Sequence, residues 1–195
     1  MSAHRNLPEA DVLARGLTAF AELGYDATSV RELAKRLDVS HNYINDRFTS
    51  KAGFWRAVVE AAMRPRMGGL GLLAADDSRT DAERLRDIVT SFYEGVIDLR
   101  DVNRIIADES SRDTERLDYL VAEFIGPVFA SWRPVLSRLL PGVPPETAFF
   151  AITGPALALA HGPLARRLAG AEPAAGRASD LARLVLDGLL PRDAS

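Results

Sequence analysis

Residues 28–51 read TSVRELAKRLDVSHNYINDRFTSK, two short amphipathic helical patterns on either side of a tight polar turn. In the first, Leu33, Ala34 and Leu37 recur at helical spacing behind Ser29, and Glu32 follows that serine by three residues, the arrangement of a capping box. Asp38, Val39 and Ser40 make the turn. Ser40 then predicts the cap of a second helix, with Ile44 and Phe48 on its inward face and His41, Asn42, Tyr43, Asn45 and Arg47 on the other. Helices this short bury too little surface to persist alone, so they must lean on a third element and cross each other steeply. Residues 7–23 supply it: a helix opened by Pro8, striped by Leu13, Leu17 and Phe20, and stopped at Gly24.

Such a three-helix unit has two readings. In one its polar face is merely solvated, and spacing alone leaves the two even. The chemistry of the second helix favours the other. Its His, Asn, Tyr, Asn and Arg are short or planar hydrogen-bonding groups suited to base edges and phosphates, whereas solvated faces usually carry Glu and Lys pairs. Asp46 is the contrary residue, because it would stand near phosphate.

Over residues 9–60 the chain resembles the N-terminal domain of the tetracycline-repressor (TetR) family of bacterial transcriptional regulators. FAELGYDATSV, RELAKRLDVS and FTSKAGFWRAVV carry the likeness, over about a quarter of the 195 residues. Asp38 stands where the family usually has Gly, an exchange that is tolerable because Asp visits left-handed conformations more readily than most residues. Asn42, Tyr43 and Asn45 replace the family's usual Gly or Pro, Thr or Ser, and Tyr; Arg47 replaces His or Tyr. These departures alter the reading surface and leave Ile44 and Phe48 to hold the helix. The resemblance implies that Arg31 lies beside the major groove, that His41, Asn42, Tyr43 and Asn45 face it, and that Ser40, Arg47 and Lys51 hold phosphates. Asn is able to read adenine, and Arg guanine, in a bidentate way.

The whole chain is that of a soluble globular protein: 47% hydrophobic, 26% charged, net charge −3 and no cysteine. Disulfides and thiolate metal sites are thereby excluded, and no secretory signal or membrane-length apolar run is visible, so a cytoplasmic location is expected. The charge is uneven. Residues 1–64 hold nine basic against eight acidic side chains, and residues 65–195 hold fifteen against nineteen, so only the N-terminal part is neutral enough to approach DNA. With so few local cations, a dimer would help binding.

The sequence predicts an all-α chain: a helix-turn-helix domain over residues 1–50, a connecting helix and loop over 51–78, and a helical bundle over 79–195. The connecting helix is expected to reach about Met63, with Pro65 and the glycines at 68, 69 and 71 loosening the chain beyond it, unless the helix itself extends. Stripes follow over residues 85–97 and 102–110. A longer one, over 117–140, should be kinked because it contains Pro127 and Pro134. Two further helices are expected at residues 147–161 and 178–190, the first bent or ended by its Gly-Pro steps.

Phe92, Tyr93, Phe124, Phe129 and Trp132 concentrate aromatic surface on two of these helices. For each ring, core packing is the better reading; as a set, the resemblance to the family implies an inducer pocket, with Phe92, Phe124, Phe129 and Trp132 as walls and a small apolar molecule as ligand. Residues 148–165 are almost uncharged, and Leu181, Leu184, Val185 and Leu189 form a narrow stripe near the end; both suit either internal core or a partner helix, and the resemblance to the family implies a two-fold interface between two copies of the chain within residues 146–190. Catalysis has little support. His4, His41 and His161 fall in separate regions, no phosphate loop or metal motif is present, and no cofactor is implied. Asp108 and Glu109 are adjacent and so point apart on a helix, which suits solvated surface rather than an acid–base pair.

The chain therefore reads as a homodimeric, ligand-responsive repressor bound to a palindromic double-stranded operator. A constitutive or architectural DNA-binding dimer is the alternative, followed by an all-helical enzyme or carrier.

Overall fold

The computed structural model describes residues 7–158, 167–168, 170 and 176–190. Among these there is no strand, and the chain divides into two units, Met1–Pro65 and Arg66–Ser195.

The first unit holds α1 (Glu9–Leu23), α2 (Val30–Leu37), α3 (Tyr43–Phe48) and the start of α4 (Lys51–Ala75). Pro8 flanks α1 and its carbonyl accepts from Asp11 and Val12. The buried stripe of α1 is Val12, Gly16, Ala19 and Phe20, while Leu13 and Leu17 are only half-buried, one position away from the expected line. Gly16 explains the offset: a Cβ there would lie 2.5 Å from the ring of Phe54, so α4 comes closest where the side chain is absent. Phe20, Leu33, Leu37, Ile44, Phe54 and Trp55 are fully enclosed and form the core of this unit.

At α4 the outcome is the extension that the sequence left open. The helix does not end near Met63 but runs through Pro65 and the three glycines to Ala75. Leu70 and Ala74, one turn apart, are buried in the core of the second unit, and this tertiary packing holds the helix beyond Pro65 despite the poor helix propensity of proline and glycine.

The second unit continues with α5 (Asp81–Asp98), α6 (Arg100–Glu109), α7 (Glu115–Leu120), a π-helical turn at Val121–Ile125, α8 (Gly126–Leu139), α9 (Pro145–Ala158) and α10 (Arg177–Leu189). A full capping box opens α5, with Thr80 accepting from the Glu83 N–H and Glu83 accepting from the Thr80 N–H. Pro127 acts where a disturbance was expected, as a π turn rather than a break. Proline lacks the N–H and crowds the carbonyl four residues back; widening the preceding turn relieves this, and Gly126 donates to Val121, five residues back. A Cβ on Gly126 would stand 2.7 Å from that same carbonyl oxygen.

The Gly154-Pro155 step does not end α9, which continues to Ala158. The second step, Gly162-Pro163, lies outside the described residues with His161 and His4. Glu109 also departs from expectation: it is buried, not solvated, because Arg116 reaches it at 2.7 Å and the Thr114 hydroxyl donates to it at 2.9 Å, so its charge is met at both oxygens. No helix among the described residues is long and apolar enough to cross a membrane.

Candidate nucleic-acid interface

The turn between α2 and α3 is closed from the α2 side. Ser29 caps α2 by accepting from the Glu32 N–H at 3.1 Å; Glu32 itself turns to Arg36, so only half of the expected capping box forms. At the other end Asp38 adopts φ 56°, ψ 44°, the left-handed conformation that its glycine-like position demands. Its N–H reaches the Lys35 carbonyl while the Val39 N–H reaches Ala34, the paired bonds of a Schellman turn, and the Val39 side chain is buried.

Ser40 does not cap α3. The helix begins at Tyr43, with Asn42 before it in a helical conformation and no side-chain cap; residues 41–42 form a turn, which carries the Ser40 side chain out of reach and leaves only its carbonyl to accept from Tyr43. Ile44 is fully buried and Phe48 half-buried, packing on Phe54 with ring centroids 4.9 Å apart. His41, Asn42, Asn45, Asp46 and Arg47 are exposed, as are Ser40 and, on α2, Arg31. Tyr43 is half-buried and its ring leans on Phe48 at 6.2 Å, so it offers less free surface than its neighbours.

Two cations on this face have intramolecular partners that spacing could not reveal. Arg47 pairs with Glu9 at the start of α1, its Nε 2.7 Å from the carboxylate, and that hydrogen bond holds the guanidinium above its ordinary pKa. Lys51 donates to the backbone carbonyls of Tyr25 and Thr28 and lies over the Tyr25 ring.

The junction that aims α3 was also invisible to pattern reading. Thr49 has φ 68° and ψ −34°, and the Ser50 N–H bonds to the Phe48 carbonyl at 2.7 Å across it, a tight three-residue turn. Ser50 then caps α4 by accepting from Gly53. A Cβ on Gly53 would sit 2.1 Å from the Phe48 carbonyl oxygen, so only glycine lets α4 start so close to the end of α3.

Residues 12–58 match the family model described as bacterial regulatory proteins, tetR family. Over these residues the N-terminal unit is similar to the tetR family of regulatory proteins. No curated protein matches the chain. Solved structures share the fold over nearly its whole length. HlyIIR, a hemolysin II transcriptional regulator, is 18% identical with a TM-score of 0.70, covering 93% of this chain and 96% of its own. PfmR, a TetR family transcriptional regulator from Thermus thermophilus, is 17% identical with a TM-score of 0.73, covering 95% and 96%. FadR from Bacillus subtilis, a transcriptional regulator solved in complex with stearoyl-CoA, is 14% identical with a TM-score of 0.66, covering 93% and 99%. The shared fold thus extends beyond the matched residues into the second unit.

In that unit the expected ligand-facing rings divide. Phe92 and Trp132 meet edge to face at 5.7 Å, Trp132 and Phe149 at 5.4 Å, and Phe129 joins them through Phe149 at 5.3 Å. Phe124 lies outside this cluster, within the π turn, and packs on Tyr119. Trp132 is enclosed, and its indole N–H has no hydrogen-bond partner.

Proposed function

We propose that the chain is a ligand-responsive, homodimeric transcriptional regulator, a repressor that leaves a palindromic operator when a small apolar molecule binds the second unit. The observation that carries the reading is the surface of α3 behind its Schellman turn: Ile44 is buried while His41, Asn42, Asn45 and Arg47 stand exposed in a segment that matches the tetR family. In this reading Arg31, His41, Asn42, Tyr43 and Asn45 face the major groove and Ser40, Arg47 and Lys51 serve the phosphates, with Lys51 acting mainly by holding the α1–α2 loop. Two large exposed apolar side chains, Phe150 on α9 at 67% and Leu184 on α10 at 60%, support a two-fold interface within residues 146–190. The ligand site is proposed among Phe92, Phe124, Phe129 and Trp132; the stearoyl-CoA bound to FadR is support for an apolar ligand of that kind.

Selection of bound duplexes from a random pool should recover an inverted repeat, since a two-fold dimer requires two-fold related half-sites. On the recovered duplex, Arg47→Ala should weaken all sequences alike, whereas Asn42→Ala should relax preference at one or two base pairs by about 1–3 kcal/mol each. Leu184→Glu should sediment as monomer and lose DNA binding. A pool without symmetric enrichment, or an unchanged Leu184→Glu dimer, refutes the corresponding part.

One observation favours a second reading, a constitutive DNA-binding dimer: the Trp132 cluster is packed ring on ring. Acyl compounds that neither shift thermal stability nor release DNA would select it.

A further inference from the structure

Arg47 presents two nitrogens to one carboxylate oxygen. Nε stands 2.7 Å and Nη2 2.5 Å from Oε2 of Glu9, which joins the last turn of α3 to the first turn of α1 across 38 residues of sequence. Both side chains are open to water, at 61% and 44% exposure, so the pair is not a buried brace and contributes little to folding. It has a different consequence. The Nε–Nη2 edge of a guanidinium is the edge that meets carboxylate and phosphate oxygens alike. Glu9 therefore holds the edge that a DNA phosphate would need.

We infer that Glu9 is an internal competitor for the Arg47 phosphate contact, so that binding duplex DNA requires Arg47 to exchange the Glu9 carboxylate for a phosphate oxygen. The inference rests on the DNA-binding reading above. Glu9 is fixed near the N-terminal end of α1, where the helix dipole favours a carboxylate. It thus persists as a local anion when Arg47 leaves it and also repels the arriving backbone. The device lowers affinity for every sequence alike while leaving base contacts untouched, so it sets the overall strength of binding and its dependence on salt rather than the preference among sequences.

The test is fluorescence anisotropy of a labelled mixed-sequence duplex with the full chain over a potassium chloride series. Glu9→Gln should bind roughly 2- to 5-fold more tightly per subunit at low salt, with the gain shrinking as salt weakens the exposed pair. Arg47→Gln should bind more weakly and flatten the dependence of log K on log salt by about 0.9 per subunit, the signature of one lost phosphate contact. Glu9→Gln added to Arg47→Gln should then bring only the smaller gain of relieved repulsion, well below the gain seen when Arg47 is present. Asp11→Asn removes a neighbouring carboxylate on the same turn and should have the smaller effect. Equal gains from Glu9→Gln in the presence and absence of Arg47 would reduce Glu9 to general repulsion and overturn the proposal, as would loss of affinity in Glu9→Gln, the result of a positioning contact. A wild-type chain that binds no duplex overturns the DNA-binding reading itself, an outcome distinct from a wild type that binds and a Glu9→Gln variant that matches it.

Discussion

The ammonium of Lys51 stands 2.9 Å from the Thr28 carbonyl oxygen, at the far side of the loop between α1 and α2. It also donates to Tyr25 at 3.0 Å and lies 4.0 Å above the centre of that tyrosine ring. Thr28 is fully buried and its hydroxyl donates back to the Gly24 carbonyl at 2.6 Å, so the loop is tied at both ends before Ser29 opens α2. One cation at the start of α4 therefore sets where the first helix of the motif begins.

Lys51→Met should lower the stability of the N-terminal unit by about 1–2 kcal/mol, because two carbonyls lose a charged donor and only partial access to water replaces it. Lys51→Arg should not restore it, since a planar fork does not fit a site built for a compact ammonium. Urea denaturation of both variants gives the comparison, and a Lys51→Met protein of unchanged stability would return Lys51 to the phosphates alone.

Gly53→Ala should be severe for DNA binding while leaving most of the helix content in place. Its Cβ would meet the Phe48 carbonyl at 2.1 Å, backbone that moves only if α3 moves. The expected result is a destabilisation of about 2–3 kcal/mol, in the range of overpacked sites, with a larger proportional loss of DNA affinity than of circular dichroism signal. Thr49→Gly at the same junction should stabilise, because a β-branched residue at φ 68° carries strain that glycine does not.

These sites mark the border of what pattern reading reaches. The helix-turn-helix was legible because burial of Leu33, Ala34, Leu37 and Ile44 imposes a helical period, and because a position needing left-handed φ tolerates few residues besides Gly, Asn and Asp. Ser40 was misread because a two-residue turn and a first helical turn look alike until the backbone is known. The extension of α4 past Pro65 depends on Leu70 and Ala74 finding a core supplied by residues far along the chain, a non-local term that no local propensity contains. The same holds for Glu109, whose partner Arg116 sits on the next helix, and for Arg47, whose partner Glu9 opens the chain's first helix.

Tyr93 should give the protein an alkaline limit. Its hydroxyl donates to the Ile152 carbonyl at 2.8 Å in the core, and burial raises its pKa from 10.0 to about 12. A phenol whose folded value is raised stays protonated in the native state while the unfolded chain has begun to ionise. Its contribution is whole below pH 10 and declines as pH rises towards 12, with a slope approaching about 1.4 kcal/mol per pH unit. Tyr93→Phe should abolish that limb and cost about 1–3 kcal/mol at neutral pH, because the Ile152 carbonyl is left without its donor. Denaturation midpoints between pH 8 and pH 11, compared for wild type and variant, decide it; parallel curves would assign the alkaline limit to another group.

Trp132 separates ligand site from plain core. The ring is enclosed by Phe92 and Phe149, and its indole N–H is a buried donor without an acceptor, a group that costs about 1–3 kcal/mol where it stands. Trp132→Ala should therefore lose about 3–5 kcal/mol, as removal of a core aromatic does, and says little about binding. Trp132→Phe is the informative change. It keeps a ring in the cluster and removes the unpaired donor, so the volume lost is partly offset and the penalty should be less than half that of the alanine variant. If Trp132 is a wall of the ligand site, Trp132→Phe should hold DNA as the wild type does in the absence of ligand and require a different concentration of acyl compound to release it, since an effector acts only through its differential affinity for the two states. Thermal melts, followed by anisotropy with and without the compound, read both quantities on one preparation. An unaltered release curve would leave Trp132 as packing and move the ligand contacts to other residues of the second unit.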